Sequence, residues 1–410
     1  MKPKALVVAS VASMIQQFNM HNIQLLLDQG YIVEVVCNCK EGNTISDEKV
    51  KEMVRELAEK GVSVTHVPIP RKIYDIKGIF KSIKQIRKMC KKEKYALMHC
   101  QSPIGSVVAR AAAIKARKNG MKVIYTAHGF HFYKGAPKKN WIIFYPIEKV
   151  FSYVTDVLIT INKEDYRFAK RNMNAKKTVY IPGVGVDVEK FWNVSCNRVS
   201  KRKELGLKEN DFFILSVGEL NQNKNHEVII KAIALLKNPK IHYYIAGIGN
   251  KEEYLKELAN ELDVHLHMLG YREDIPELLM SADLFAFPSY REGLSVALME
   301  AMAAGLPCVV SNIRGNIDLI QEGMGGFLCK PQSVNVFSRN IKKIVDDRKL
   351  RMKISVYNLN RVKKFDIEKI KEAGYDVTTP VIVSNTDQYA IVEKTATGEV
   401  TKESNLIKVQ

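Results

Sequence analysis

Apolar and polar residues fall in blocks along this chain. Short runs rich in Val and Ile, at residues 4–9, 32–37, 62–67, 95–99, 122–126, 156–161 and 179–181, have the length and β-branched character of buried strands. Between them lie longer stretches whose apolar positions recur every three or four residues: 19–27, 46–59, 105–117 and 163–171. Residues 71–94 follow the same period through Ile76, Ile79, Phe80, Ile83, Ile86, Met89 and Cys90. Residues 10–17 read as a loop. The aromatic-rich stretch 141–151, interrupted by Pro146, reads either as core or as an exposed face. Strands alternating with helices at this rhythm predict a parallel sheet covered on both sides.

The rhythm restarts after residues 182–187. Strands are expected at 212–217, 241–246, 265–269 and 308–311, with another apolar run ending at Pro288. Helices are expected at 227–236, 254–262, 275–280, 294–304, 334–348 and 350–364, and a hairpin-like turn at 325–328. The pattern divides the chain into α/β domains at 1–186 and 187–364. Residues 365–410 hold the start of a further helix and a Thr- and Val-rich tail (374–410) to which no role attaches.

The stretch 285–307, FAFPSYREGLSVALMEAMAAGLP, concentrates the candidate chemistry. It reads as strand, polar loop and helix, with Gly305 and Pro307 ending the helix. Backbone N–H groups near Leu294, Ser295 and Val296 would lie at the helix N-terminus, a site suited to a phosphate. Glu292 precedes that site and Glu300 follows two turns along. A phosphate held between two hydroxyl-bearing groups, as in a nucleotide-sugar, matches this layout. Elsewhere, His128 directly follows a strand, at the end of a parallel sheet where ligands bind.

Charge sharpens the picture. The net charge is +19, and residues 1–182 carry 32 Lys/Arg against 14 Asp/Glu, a net of +18, whereas the remainder has 31 against 30. One half is therefore built to meet something anionic. Residues 71–94 hold ten Lys/Arg against two acids. That helix is either core-facing with a solvated basic face or a helix on an anionic membrane surface. No nucleic-acid-reading module is recognisable, so nucleic acid is not an expected partner. Seven scattered cysteines suit a reducing compartment, and Cys37 and Cys39 have the wrong spacing for a redox pair. Without a signal-peptide pattern or a long apolar run, a cytoplasmic location is expected.

The pattern Glu292-x7-Glu300, preceded by Pro288-Ser289-x-x and followed by Ala301-Met302-Ala303-Ala304-Gly305-Leu306-Pro307, resembles the signature of the retaining glycosyltransferase family 4. The string HGFHFYKGAP at 128–137 resembles the histidine loop of capsule and exopolysaccharide enzymes of that family, and residues 182–187 its linker. The resemblance implies a GT-B fold, two Rossmann-like domains facing each other across a cleft. It implies transfer of a sugar from a nucleotide-sugar, with UDP favoured, to a lipid-linked saccharide by an enzyme peripherally attached to the inner face of the cell membrane. Family positions map His128 and Glu292 to the catalytic centre, with Glu292 holding sugar hydroxyls. They map Gly218, Lys224, Tyr271, Gly293, Leu294, Ser295 and Glu300 to the donor, to which Arg291 is added as a neighbouring cation; because residues 10–17 depart from the family pattern, Ser13 and Met14 are expected to shape the acceptor side instead. Lys224 would bind diphosphate, Glu300 the ribose and Tyr271 the base. No two Asp residues are separated by a single residue, so no D-x-D metal motif exists. No metal or other cofactor is expected, and cations with backbone N–H groups would balance the diphosphate.

Two departures stand out. Glu219 occupies the place where the family usually carries Arg after Gly218, leaving Arg291 or Arg272 as substitutes. Residues 10–17 lack the usual glycines. A GT-B nucleotide-sugar epimerase and a non-catalytic nucleotide-sugar-binding protein are the competing readings.

Overall fold

A computed structural model describes residues 2–370. Seven strands form the first sheet: β1 (Lys4–Val11), β2 (Ile32–Asn38), β3 (Ser63–His66), β4 (Leu97–Gln101), β5 (Lys122–Ala127), β6 (Val157–Thr160) and β7 (Lys177–Tyr180). Their order is β3-β2-β1-β4-β5-β6-β7, every pairing parallel. The second sheet holds β8 (Phe212–Val217), β9 (Ile241–Ala246), β10 (His265–Gly270), β11 (Leu284–Phe287), β12 (Cys308–Ser311) and β13 (Gly326–Cys329), ordered β10-β9-β8-β11-β12-β13 and again parallel. Strands such as β1, β8 and β11 are apolar on both faces because helices cover both sides, the condition for an all-parallel sheet. In each sheet the order reverses beside the first strand of its half. That switch point opens a crevice at the carboxyl ends of the strands.

The chain returns to its first half after the helix Arg348–Val362. Val186 N–H donates to Phe365 O at 2.9 Å, and Ile367 N–H donates to Val186 O at 3.0 Å. Ile370 then packs on the core of the first sheet. The tail at 374–410 lies outside the described residues.

Three local expectations change. Residues 10–17 are not a loop: β1 runs to Val11 and a helix spans Ala12–Phe18. The segment contains Ala, Met and Gln, good helix formers, and the lack of glycine that marked it as unusual leaves nothing to break the helix. Residues 325–328 are not a hairpin-like turn, because Gly326–Cys329 is a parallel strand beside β12. Pro146 does not interrupt its segment, which is helical over Lys138–Ser152. The carbonyl that Pro146 cannot serve belongs to Ile142, which is exposed, so water can satisfy it.

That helix answers both alternatives for residues 141–151. Trp141 and Tyr145 pack around Phe132 and Phe168, with ring centroids 5.5–6.1 Å apart. Its other face leaves Ile142, Ile143 and Val150 in solvent. The buried Arg110–Glu148 ion pair, 2.8 Å long, ties it to the neighbouring helix Pro103–Lys118. The basic helix, Ile76–Glu93, likewise turns Ile86 and Cys90 inward and packs Ile79, Ile83 and Met89 on the core. Ile76 and Phe80 stay exposed beside its lysines.

Candidate active site

The two sheets meet across a cleft of about 800 Å³. Seven of the residues singled out from sequence line it: Ser13, Met14, His128, Lys224, Arg291, Glu292 and Gly293. The first half contributes the helix Ala12–Phe18 and the loop after β5, and the second half the loops after β8 and β11.

Gly293 sets how closely the halves approach. A Cβ there would lie 1.9 Å from the His128 carbonyl oxygen, so only glycine lets the two loops touch. Beside it, Lys224 Nζ donates to Glu292 Oε1 at 2.8 Å and sits 4.7 Å from the Phe287 ring. Gly218 stands behind this lysine: a Cβ there would be 3.1 Å from Lys224 Cε. Glu219 also lines the cleft, putting a carboxylate where the family usually has a cation.

His128 is held by a relay of amides. Asn19 Nδ2 donates to Met14 O at 3.0 Å, Gln101 Nε2 donates to Asn19 Oδ1 at 2.5 Å, and Gln101 Oε1 is left to accept from His128 Nε2 at 2.5 Å. The proton therefore sits on Nε2 and Nδ1 carries the lone pair. Burial lowers the pKa of His128 to about 4, so the imidazole is neutral near pH 7. Phe18 packs on the ring with centroids 5.0 Å apart.

Leu294 and Ser295 follow the cleft wall inward and are buried. Ser295 Oγ caps the helix Val296–Ala303, accepting from Leu298 N–H at 3.3 Å. The Leu294 and Ser295 amides make no backbone hydrogen bond among the described residues. Glu300 lies on that helix outside the cleft lining. Its carboxylate has no hydrogen bond or ion pair among the described residues, and burial raises its pKa against the opposing effect of Lys190. Tyr271 is exposed and outside the cleft lining; Lys49 Nζ donates to its hydroxyl at 2.9 Å and pairs with Glu273 at 2.6 Å. Of the two substitutes considered for a cation at position 219, Arg291 lines the cleft. Arg272 does not: it is drawn away by Asp274 at 2.5 Å and Glu204 at 3.4 Å.

Sequence reasoning missed Arg314, Asn19 and Gln101. Arg314, on the loop after β12, is buried in the seam and lines the cleft. Its only sequence signal is an arginine before a glycine, Gly315, just past a strand.

The arrangement defines a class. Two Rossmann-like domains with cations and carboxylates converging on the cleft between them form a GT-B sugar-transfer site. Comparison with known proteins agrees. The description "Glycosyl transferase 4-like" matches residues 6–162 and "Glycosyl transferases group 1" residues 197–361. EpsD of Bacillus subtilis (strain 168), named as a candidate glycosyltransferase, is 34% identical over 95% of this chain and 100% of its own length. An Escherichia coli UDP-Gal:alpha-D-GlcNAc-diphosphoundecaprenol alpha-1,3-galactosyltransferase is 32% identical over 88% of this chain and 94% of its own. Among solved structures, Anabaena HepE in complex with UDP-glucose superposes with a TM-score of 0.72 at 20% identity, over 92% of this chain and 99% of that one, a likeness of fold. The chain belongs to the family-4-like glycosyltransferases of GT-B fold.

Proposed function

We propose that this glycosyltransferase moves a sugar, with retention at the anomeric carbon, from a UDP-sugar to a lipid-linked saccharide in capsule or exopolysaccharide synthesis. The observation that carries the reading is the Lys224–Glu292 pair at the cleft, directly before Gly293 and the free amides of Leu294 and Ser295. A diphosphate entering there exchanges Lys224 from carboxylate to phosphate and meets N–H donors aimed at the leaving group. Glu292, released from the lysine, is free to accept hydroxyls of the donor sugar. Glu300 takes the ribose, Tyr271 the base, and neutral His128 contacts the sugar from the opposite domain. Ser13 and Met14 shape the acceptor side. The acceptor nucleophile enters on the face the leaving group departs from, and the departing phosphate helps take its proton. No covalent role falls to Glu292.

The acceptor class follows the diphosphoundecaprenol-linked substrate in the name of the Escherichia coli relative. Among the described residues no helix is long and apolar enough to cross a membrane. The basic first half is therefore proposed to reach such an acceptor by docking on the anionic inner face of the membrane, the protein being otherwise cytoplasmic. With no D-x-D sequence, fixed cations take the part of a metal. The test is mass spectrometry of products after incubation with UDP- and GDP-sugars and membrane lipid extract, with and without EDTA. A glycosylated lipid formed in both arms is expected. Loss of activity in EDTA and its return with Mn²⁺ would overturn the metal-free reading. An epimerised donor without acceptor product would replace transfer by epimerisation.

A further inference from the structure

Glu219 leaves the donor site one cation short, and the seam between the domains holds a cation that the mechanism so far does not use. Arg314 comes from the second domain, yet its guanidinium is anchored on the first. Nη1 donates to Asp165 Oδ1 at 2.5 Å and Nη2 to the Phe130 carbonyl at 2.5 Å, with the Tyr133 ring 4.4 Å away. Arg314 and Asp165 are almost fully buried. Arg314 Nε is buried too and has no hydrogen-bond partner among the described residues. A buried N–H of a charged group left without an acceptor is costly, and an acceptor arriving with a ligand would satisfy it.

The location says which ligand. A Cβ built on Gly129, the residue after His128, would lie 3.2 Å from Arg314 Nη2 and 3.4 Å from Gly293 Cα. The guanidinium therefore borders the same point as the glycine that follows Glu292, the partner of Lys224. An anion spanning from Lys224 to the amides after Gly293 comes within reach of Arg314. We propose that Arg314 is the second cation of the donor's diphosphate site, in place of the arginine that Glu219 displaces, and that its anchors on the first domain hold it in position there. This rests on the nucleotide-sugar reading above. A guanidinium suits the task because it stays charged when buried and its planar fork can serve the protein and a phosphate together. Its anchors on Asp165 and Phe130 belong to the first domain, so contact between the domains fixes the direction of this charge.

The experiment measures UDP and uridine binding to the full chain, uridine by competition, for wild type, Arg314→Ala and Arg314→Gln. The glutamine keeps a donor for the Phe130 carbonyl and removes the charge, which covers the case in which alanine unfolds the seam. Selective weakening of UDP, roughly ten- to a hundred-fold for one charge-assisted contact, with uridine affinity held, is the expected result. Equal weakening of UDP and uridine, or unchanged UDP affinity in folded Arg314→Gln, would reduce Arg314 to a strut between domains. Wild type that binds neither UDP nor GDP would instead overturn the donor reading itself, and this proposal with it.

Discussion

At the scale of single residues, the cleft is organised by a cation that already has a partner. Lys224 is only one-fifth exposed and bonded to Glu292, so a donor must compete with a carboxylate for it. A contact between the freed lysine and a phosphate contributes about 1.5–3 kcal/mol, which puts the loss of UDP affinity in Lys224→Ala at roughly ten- to a hundred-fold. Calorimetry giving wild-type affinity would remove Lys224 from the donor site. Both residues were singled out beforehand, Glu292 from the stretch 285–307 and Lys224 from the family's spacing after Gly218, but their pairing with each other was not. Arg314 was not singled out. Its role comes from partners on Asp165 and Phe130, 149 and 184 positions away in sequence, and spacing along the chain carries no trace of such a pairing. The relay Asn19–Gln101–His128 was hidden for the same reason, since it joins a helix end, a strand end and a loop from three separate parts of the chain.

At the scale of elements, the sheets were readable and some connections were not. Apolar runs such as β8, β9 and β12 have the same bounds in sequence and structure, because burial on both faces demands unbroken hydrophobicity. The segment after β1 was misread because family glycines were sought there, while its own residues favour a helix. A glycine-dependent close approach between the two halves lies instead in the loop after β11. Gly293→Ala would push a methyl group into the His128 carbonyl, and backbone on both sides cannot yield as a flexible side chain would. The domains must then part by a fraction of their contact distance. A misplacement of about 1 Å costs on the order of 10²-fold in rate, so sugar transfer should fall by that order while circular dichroism changes little. Wild-type turnover in Gly293→Ala would mean that the cleft works without this contact.

At the scale of the whole molecule, charge is the property that sequence displayed most plainly and that the fold then placed. The halves share an architecture but differ by seventeen units of net charge, +18 against +1. Such asymmetry follows from what each half meets rather than from folding. In the structure Lys81, Lys84, Lys88 and Lys91 are exposed along one helix and form no ion pair among the described residues, next to the exposed Phe80 and Ile76. The helix keeps its other side in the core, so it can present this face without unfolding. Ile142 and Ile143 add apolar surface on the helix Lys138–Ser152, one helix beyond Pro103–Lys118, on which the basic helix packs. A lysine near an anionic bilayer contributes about 1 kcal/mol, so four are enough for reversible docking. The attraction should fade with salt, since it decays within a Debye length of about 8–10 Å at 0.10–0.15 M. Sedimentation with vesicles should find wild type on anionic lipid at low salt and largely free with neutral lipid. Replacing Lys81, Lys84, Lys88 and Lys91 together by Glu should release the protein while leaving hydrolysis of a soluble donor intact, because none of the four lines the cleft. If wild type and the quadruple variant sediment equally, the basic face is only a solvated one and the acceptor must be met by another surface.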